Sequence, residues 1–214
     1  TMRRQPVILA LLALCLLVMP SGAWQDDFQS GTGYGWTSQV LGGSSSVSVV
    51  ANPYSDTYGL KITGASAGYG DGWARAWANP QQNFNYVGFT GNYLHAASVS
   101  WAKIYLYDSA GEQIAASPRL EDFFYLPHKP SRGELFRDGN KVYLYVDGVL
   151  KTSFDCSGQP YNIRFEVQSG TSADWVIDDV VIGGSEPNIL GIIPGDWYVL
   201  KHPTDPTMHG LYNS

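Results

Sequence analysis

From Val99 to Tyr107 the side chains alternate strictly, with Ser100, Ala102, Ile104 and Leu106 on one side and Val99, Trp101, Lys103, Tyr105 and Tyr107 on the other. A period of two belongs to a β-strand, and the first set suits a packed core. Tyr161, Ile163, Phe165 and Val167 alternate with Asn162, Arg164, Glu166 and Gln168 in the same way, predicting a strand buried on one face and wet on the other. Trp73-Ala74-Arg75-Ala76-Trp77 puts both tryptophans on one side, Val47–Val50 and Tyr58–Ile62 read as a strand pair around Asn52-Pro53, and Trp175–Ile182 reads as the last strand.

The stretch Phe136–Phe154 carries the strongest local signal. Asp138-Gly139-Asn140 and Asp147-Gly148 reach positive φ at little steric cost and stand between alternating apolar segments. Three short antiparallel strands follow, with Val142, Leu144 and Val146 facing the core and Tyr143 and Tyr145 facing away. No segment holds a helical period for long, and Arg119–Leu126 offers one short helical turn. The pattern predicts an all-β protein made of two packed antiparallel sheets.

Length and composition fit that reading. The chain has 214 residues, 15% of them charged and 14% aromatic, which suits one turn-rich sandwich better than two large domains. Arg3 and Arg4 precede the apolar run Val7–Met19, Pro20 ends it, and Ser21-Gly22-Ala23 supplies small residues, so residues 1–23 read as a signal peptide. The run is shorter than the roughly 20 apolar residues that span a bilayer, so no membrane span is expected in the mature chain. Residues 24–184 form the expected sandwich domain. After Gly183-Gly184, four prolines (Pro187, Pro194, Pro203, Pro206) break up residues 185–214, which read as a linker and the start of a further region of the same polypeptide.

The whole chain carries 13 basic and 19 acidic residues, a formal charge of -6; without Arg3 and Arg4 it is 11 minus 19, or -8. A surface of that sign repels polyphosphate, so nucleic acid is not an expected partner. Cys15 leaves with the apolar run, Cys156 remains as a lone thiol, and no internal disulfide can form. The four histidines show no metal-ligand spacing, and neither a nucleophile elbow nor a phosphate loop is present.

Asp26-Asp27-Phe28-Gln29-Ser30-Gly31 with Gly35-Trp36, the strand ending Tyr145-Val146-Asp147-Gly148, and the exit Ile177-Asp178-Asp179-Val180 together resemble secreted jelly-roll domains. The resemblance is to the concanavalin A-like, laminin-G-like group, with similarity also to galactose-binding-like carbohydrate-binding modules. It spans roughly Asp26 to Gly184. It implies a jelly-roll β-sandwich with first and last strands adjacent, and a role in adhesion or sugar binding at the cell surface. It also implies a structural calcium ion where those strands meet, with Asp26, Asp27, Asp178 and Asp179 as candidate oxygen donors, at most one of each adjacent pair reaching the same ion directly. The alternative is that these carboxylates accept hydrogen bonds in turns.

A pyranose stacks its C–H face on an exposed ring while polar neighbours bond its hydroxyls. Two surfaces offer that. One is the sheet face with Trp101, Lys103, Tyr105 and Tyr107, joined by Tyr143 and Tyr145 from the meander; the other is Tyr69, Asp71 and Trp73 with Trp77. Against this stands the common fate of large aromatics in a sandwich, which is burial. Glucanases of the concanavalin A-like fold carry an E-x-D-x-x-E-like arrangement, and none occurs here. The expectation is therefore a non-catalytic, secreted or surface domain that binds a glycan or a cell-envelope protein. A structural spacer and a glycan-cleaving enzyme are the other readings.

Overall fold

The computed structural model describes residues 23–33, 35–52, 57–66, 72–95, 100–125, 129–183, 197–202 and 205–213. The chain forms strands β1 (Trp24–Asp26), β2 (Trp36–Leu41), β3 (Ser46–Ala51), β4 (Tyr58–Ala65), β5 (Gly72–Ala78), β6 (Tyr86–His95), β7 (Ser100–Tyr107) and β8 (Gln113–Ala116), of which the sequence pattern does not predict β2, β6 or β8. After a one-turn helix α1 (Glu121–Phe124) come β9 (Ser131–Asp138), β10 (Lys141–Val146), β11 (Val149–Asp155), β12 (Asn162–Ser169) and β13 (Ser172–Gly183). Helix α1 falls where one helical turn is predicted, and it buries Phe124. Further on, β14 (Trp197–His202) and β15 (Asp205–Asn213) pair with each other antiparallel, within the stretch that reads as a linker. Residues 1–22 lie outside the described residues.

Eight strands form one sheet in the order β11-β10-β9-β6-β13-β4-β3, with β1 on β13 as well; five form the other in the order β2-β5-β12-β7-β8. All these pairings are antiparallel, and this is the two-sheet jelly-roll sandwich of the sequence reading. Trp24, Gln25 and Asp26 pair with Ile182, Val181 and Val180, so the first and last strands of the sandwich are neighbours as predicted.

The core sits between the sheets. Ile104, Leu106, Ile163, Phe165 and Val167 point inward from the five-stranded sheet, and Leu60, Ile62, Phe89, Trp175 and Ile177 from the eight-stranded one. Strand β5 turns only Ala74, Ala76 and Ala78 inward, which leaves volume for a ring cluster opposite. There Phe89, Phe165 and Trp175 meet with centroids 5.3 to 5.9 Å apart, distances at which edge-to-face packing is favourable. Gly133 is required by that cluster, since a Cβ there would stand 2.5 Å from Phe89 and 2.8 Å from Phe124. Cys156 is buried and unpaired.

The meander forms as predicted from β9, β10 and β11, with Asp147 at φ 50° and Gly148 at φ 75° in its second turn. Val142, Leu144 and Val146 are buried and Tyr143 and Tyr145 face away. One expectation is corrected: β10 belongs to the eight-stranded sheet, whereas Trp101, Tyr105 and Tyr107 stand on β7 in the other. Tyr143 and Tyr145 are therefore on the opposite side of the sandwich and cannot join that row.

Candidate functional site

The outward side chains of β5, β12 and β7 are brought into rows by strand register. Gln168 pairs with both Trp73 and Trp101, Glu166 with Arg75 and Lys103, and Arg164 with Trp77 and Tyr105; Asn162 pairs with Tyr107 at the end. On the flank, β2 adds Thr37 beside Trp77, Gln39 beside Arg75 and Leu41 beside Trp73. Directly paired side chains lie about 5 Å apart and successive rows about 7 Å apart. The two aromatic groups read separately from sequence, Trp101 to Tyr107 and Trp73 with Trp77, are thus one surface. Tyr69 and Asp71 lie outside the described residues.

Every aromatic side chain of this face is half-buried. Glu166 departs from its expected wet position: its side chain is only 3% exposed, and it ion-pairs through Oε2 with Arg75 and, at 3.2 Å, with Arg164. The cations rest on rings. The Arg75 guanidinium lies 3.8 Å from the Trp73 centroid, that of Arg164 lies 4.0 Å from Tyr105 and 5.2 Å from Tyr107, and Lys103 Nζ lies 5.2 Å from Trp101. Such contacts are attractive because the ring face is the negative end of its quadrupole. Burial pushes the Tyr105 and Tyr107 phenols up, and the Glu166 carboxylate adds to the rise while Arg164 opposes it. Both phenols therefore stay protonated at neutral pH and can donate hydrogen bonds.

Sequence reading missed Arg75, Arg164, Glu166 and Gln168 as members of this face. Their alternation with core residues was visible. Their convergence was not, because it depends on which strand lies beside which.

The four aspartates of the strand junction do not form one coordination set. Asp26 accepts from the Phe28 amide at 2.8 Å and the Trp36 indole N–H at 2.9 Å. Asp178 accepts from Asn52, Thr57 and the Asp179 amide. Both carboxyls are raised from their ordinary value, chiefly by burial, against the pull of these hydrogen bonds. Asp26, Asp27 and Asp179 line a groove of about 420 Å³, but Arg132 lines it too and donates to the Asp179 carbonyl at 3.2 Å. The carboxylates of Asp26 and Asp178 are held by protein donors. Among the described residues no three acidic, histidine or cysteine side chains gather as metal ligands.

No family model matches the chain, and no curated protein matches it. Solved structures do. A sialidase superposes with TM-score 0.55 at 14% identity over 78% of this chain, which corresponds to only 19% of the sialidase. Two glycoside hydrolase family 16 structures from Bacteroides ovatus superpose with TM-score 0.52 at 14% and 15% identity, over 74% of this chain and 99% of theirs; one is an endo-glucanase and the other holds an oligosaccharide product. The fold shared with these structures is the two-sheet jelly-roll sandwich. The expectation of a non-catalytic domain, with the exclusion of an enzyme, is overturned by these likenesses. Glycoside hydrolases are built on this same sandwich, and of the readings above it is the glycan-cleaving one that these likenesses favour. Among the described residues no helix is long and apolar enough to cross a membrane.

Proposed function

We propose that the protein cleaves a polysaccharide laid across the outer face of the five-stranded sheet. The observation that supports this reading is the register that sets Trp73, Gln168 and Trp101 in one row and Trp77, Arg164 and Tyr105 in another, with Glu166 between them. Ring edges and faces suit the apolar side of a sugar, and the amide, phenol and guanidinium groups suit its hydroxyls. Bond cleavage also needs proton transfer at the glycosidic oxygen. Glu166 is the only carboxylate borne by the strands of this sheet, and the protonated Tyr105 phenol, one row away, can donate. The basic pair, apolar run and small residues among residues 1–23 support an activity outside the cell.

The test is release of shorter chains from a panel of neutral and acidic polysaccharides, with retention of the protein by the same polymers read in parallel. Glu166→Gln is expected to lower product release at least about 100-fold, in the range of a lost proton-transfer group, with the fold intact by circular dichroism. Trp101→Ala is expected to weaken retention. No product from any polymer by the folded wild-type protein would end the cleavage reading.

A further inference from the structure

We infer that the polymer taken by this face is an acidic polysaccharide, recognised through anionic oxygens of the kind carried by uronic acid carboxylates or sulfate esters. The inference rests on the glycan reading above. Its ground is the charge of the face. Its strands β2, β5, β7, β8 and β12 carry three outward cations, Arg75, Lys103 and Arg164, and one carboxylate, Glu166. The local charge is thus +2 on a chain whose formal total is -6. An excess of cations on a predominantly acidic protein is a local feature that overall composition does not explain.

The geometry shows that the carboxylate organises these cations without satisfying them. Both guanidinium groups converge on one oxygen, Oε2 of Glu166. Arg75 keeps 26% of its side chain exposed against 11% for Arg164, and Lys103 makes no ion pair among the described residues. A guanidinium has five N–H donors in a planar fork that matches carboxylate and sulfate oxygens. Here Glu166 and the rings hold two such forks in place before a ligand arrives, which lowers the entropy lost on binding.

The same stacking shifts this face from ring contact toward charge contact. Arg75 covers one face of Trp73 and Arg164 covers one face of Tyr105, so those faces are closed to a pyranose. Rings that carry cations suit an anion instead. The overall negative charge does not forbid this, because fields are screened within about 8 Å at physiological salt. A polyuronate, with one charge per sugar, is also far less densely charged than duplex DNA with one per roughly 1.7 Å.

Affinity electrophoresis of the full chain decides the matter, run in gels containing polygalacturonate, the same polymer after chemical reduction of its carboxyls, a sulfated galactan, or a neutral β-glucan. Polygalacturonate or the sulfated galactan is expected to retain the wild-type protein at least about tenfold more strongly than the two uncharged polymers, with the effect fading as salt rises. Which of the two retains it more identifies the anionic group. Lys103→Gln and Arg75→Gln are each expected to weaken that retention about tenfold, the equivalent of one charge-assisted hydrogen bond. Equal retention by polygalacturonate and its reduced form, with no preference for the sulfated polymer, overturns the acidic class and leaves the glycan reading standing. Retention by none of the four, with no product released, removes both.

Discussion

Asp178 is 3% exposed and accepts three hydrogen bonds, yet its carboxyl is pushed above its ordinary value because burial outweighs them. The sign of the consequence is fixed by that direction. A carboxyl whose folded pKa exceeds the unfolded value of 3.8 stabilises the protein most below that value and loses the contribution as pH rises through the folded pKa. Measured by urea denaturation from pH 3 to 7, the stability of wild type relative to Asp178→Asn is expected to be highest at the acid end, to fall as pH rises, and to level off. A difference that grows with pH would mean that the hydrogen bonds dominate. At the same scale, Arg164 and Glu166 were legible in sequence as neighbours on one strand face. The second cation on Glu166, Arg75, lies 91 positions away, and no local pattern carries that distance.

Elements set what single residues can do. In β9 the core face contains Gly133, and the rings of Phe89 and Phe124 fill the place of its side chain. Gly133→Ala is expected to destabilise the fold by about 1–3 kcal/mol, the usual cost of overpacking, with an altered near-ultraviolet circular dichroism spectrum. The junction of β1 and β13 makes a second case. There a register shift between Asp178 and Val181, with Asp179 at φ 49°, directs Asp178 to Asn52 and Thr57 and Asp179 to Thr90. A bulge re-aims side chains in this way. Because the aspartates diverge and Arg132 lines the groove, the melting temperature is expected to stay the same in EDTA and in millimolar calcium. A rise with calcium would reinstate the ion.

At the scale of the molecule, the two sheets separate two sets of aromatics that look alike in sequence. Tyr105 and Tyr107 stand over Arg164 on the five-stranded sheet, and Tyr143 and Tyr145 stand on the far side of the eight-stranded one. Tyr145→Ala is therefore expected to leave polysaccharide retention unchanged while Trp101→Ala weakens it. Loss of retention in both would place the binding surface elsewhere.

Period-two alternation and the Gly, Asn and Asp turns act within a few residues, so the sequence alone determined β3, β4, β5, β7, β12 and β13, the meander and the all-β class, but not β2, β6 or β8. Strand order and register are contacts between distant segments, fixed only when both faces of the core close together. That closure decided that Trp73, Trp77, Trp101 and Tyr105 share one surface, that two arginines meet on Glu166, and that Tyr143 and Tyr145 do not take part.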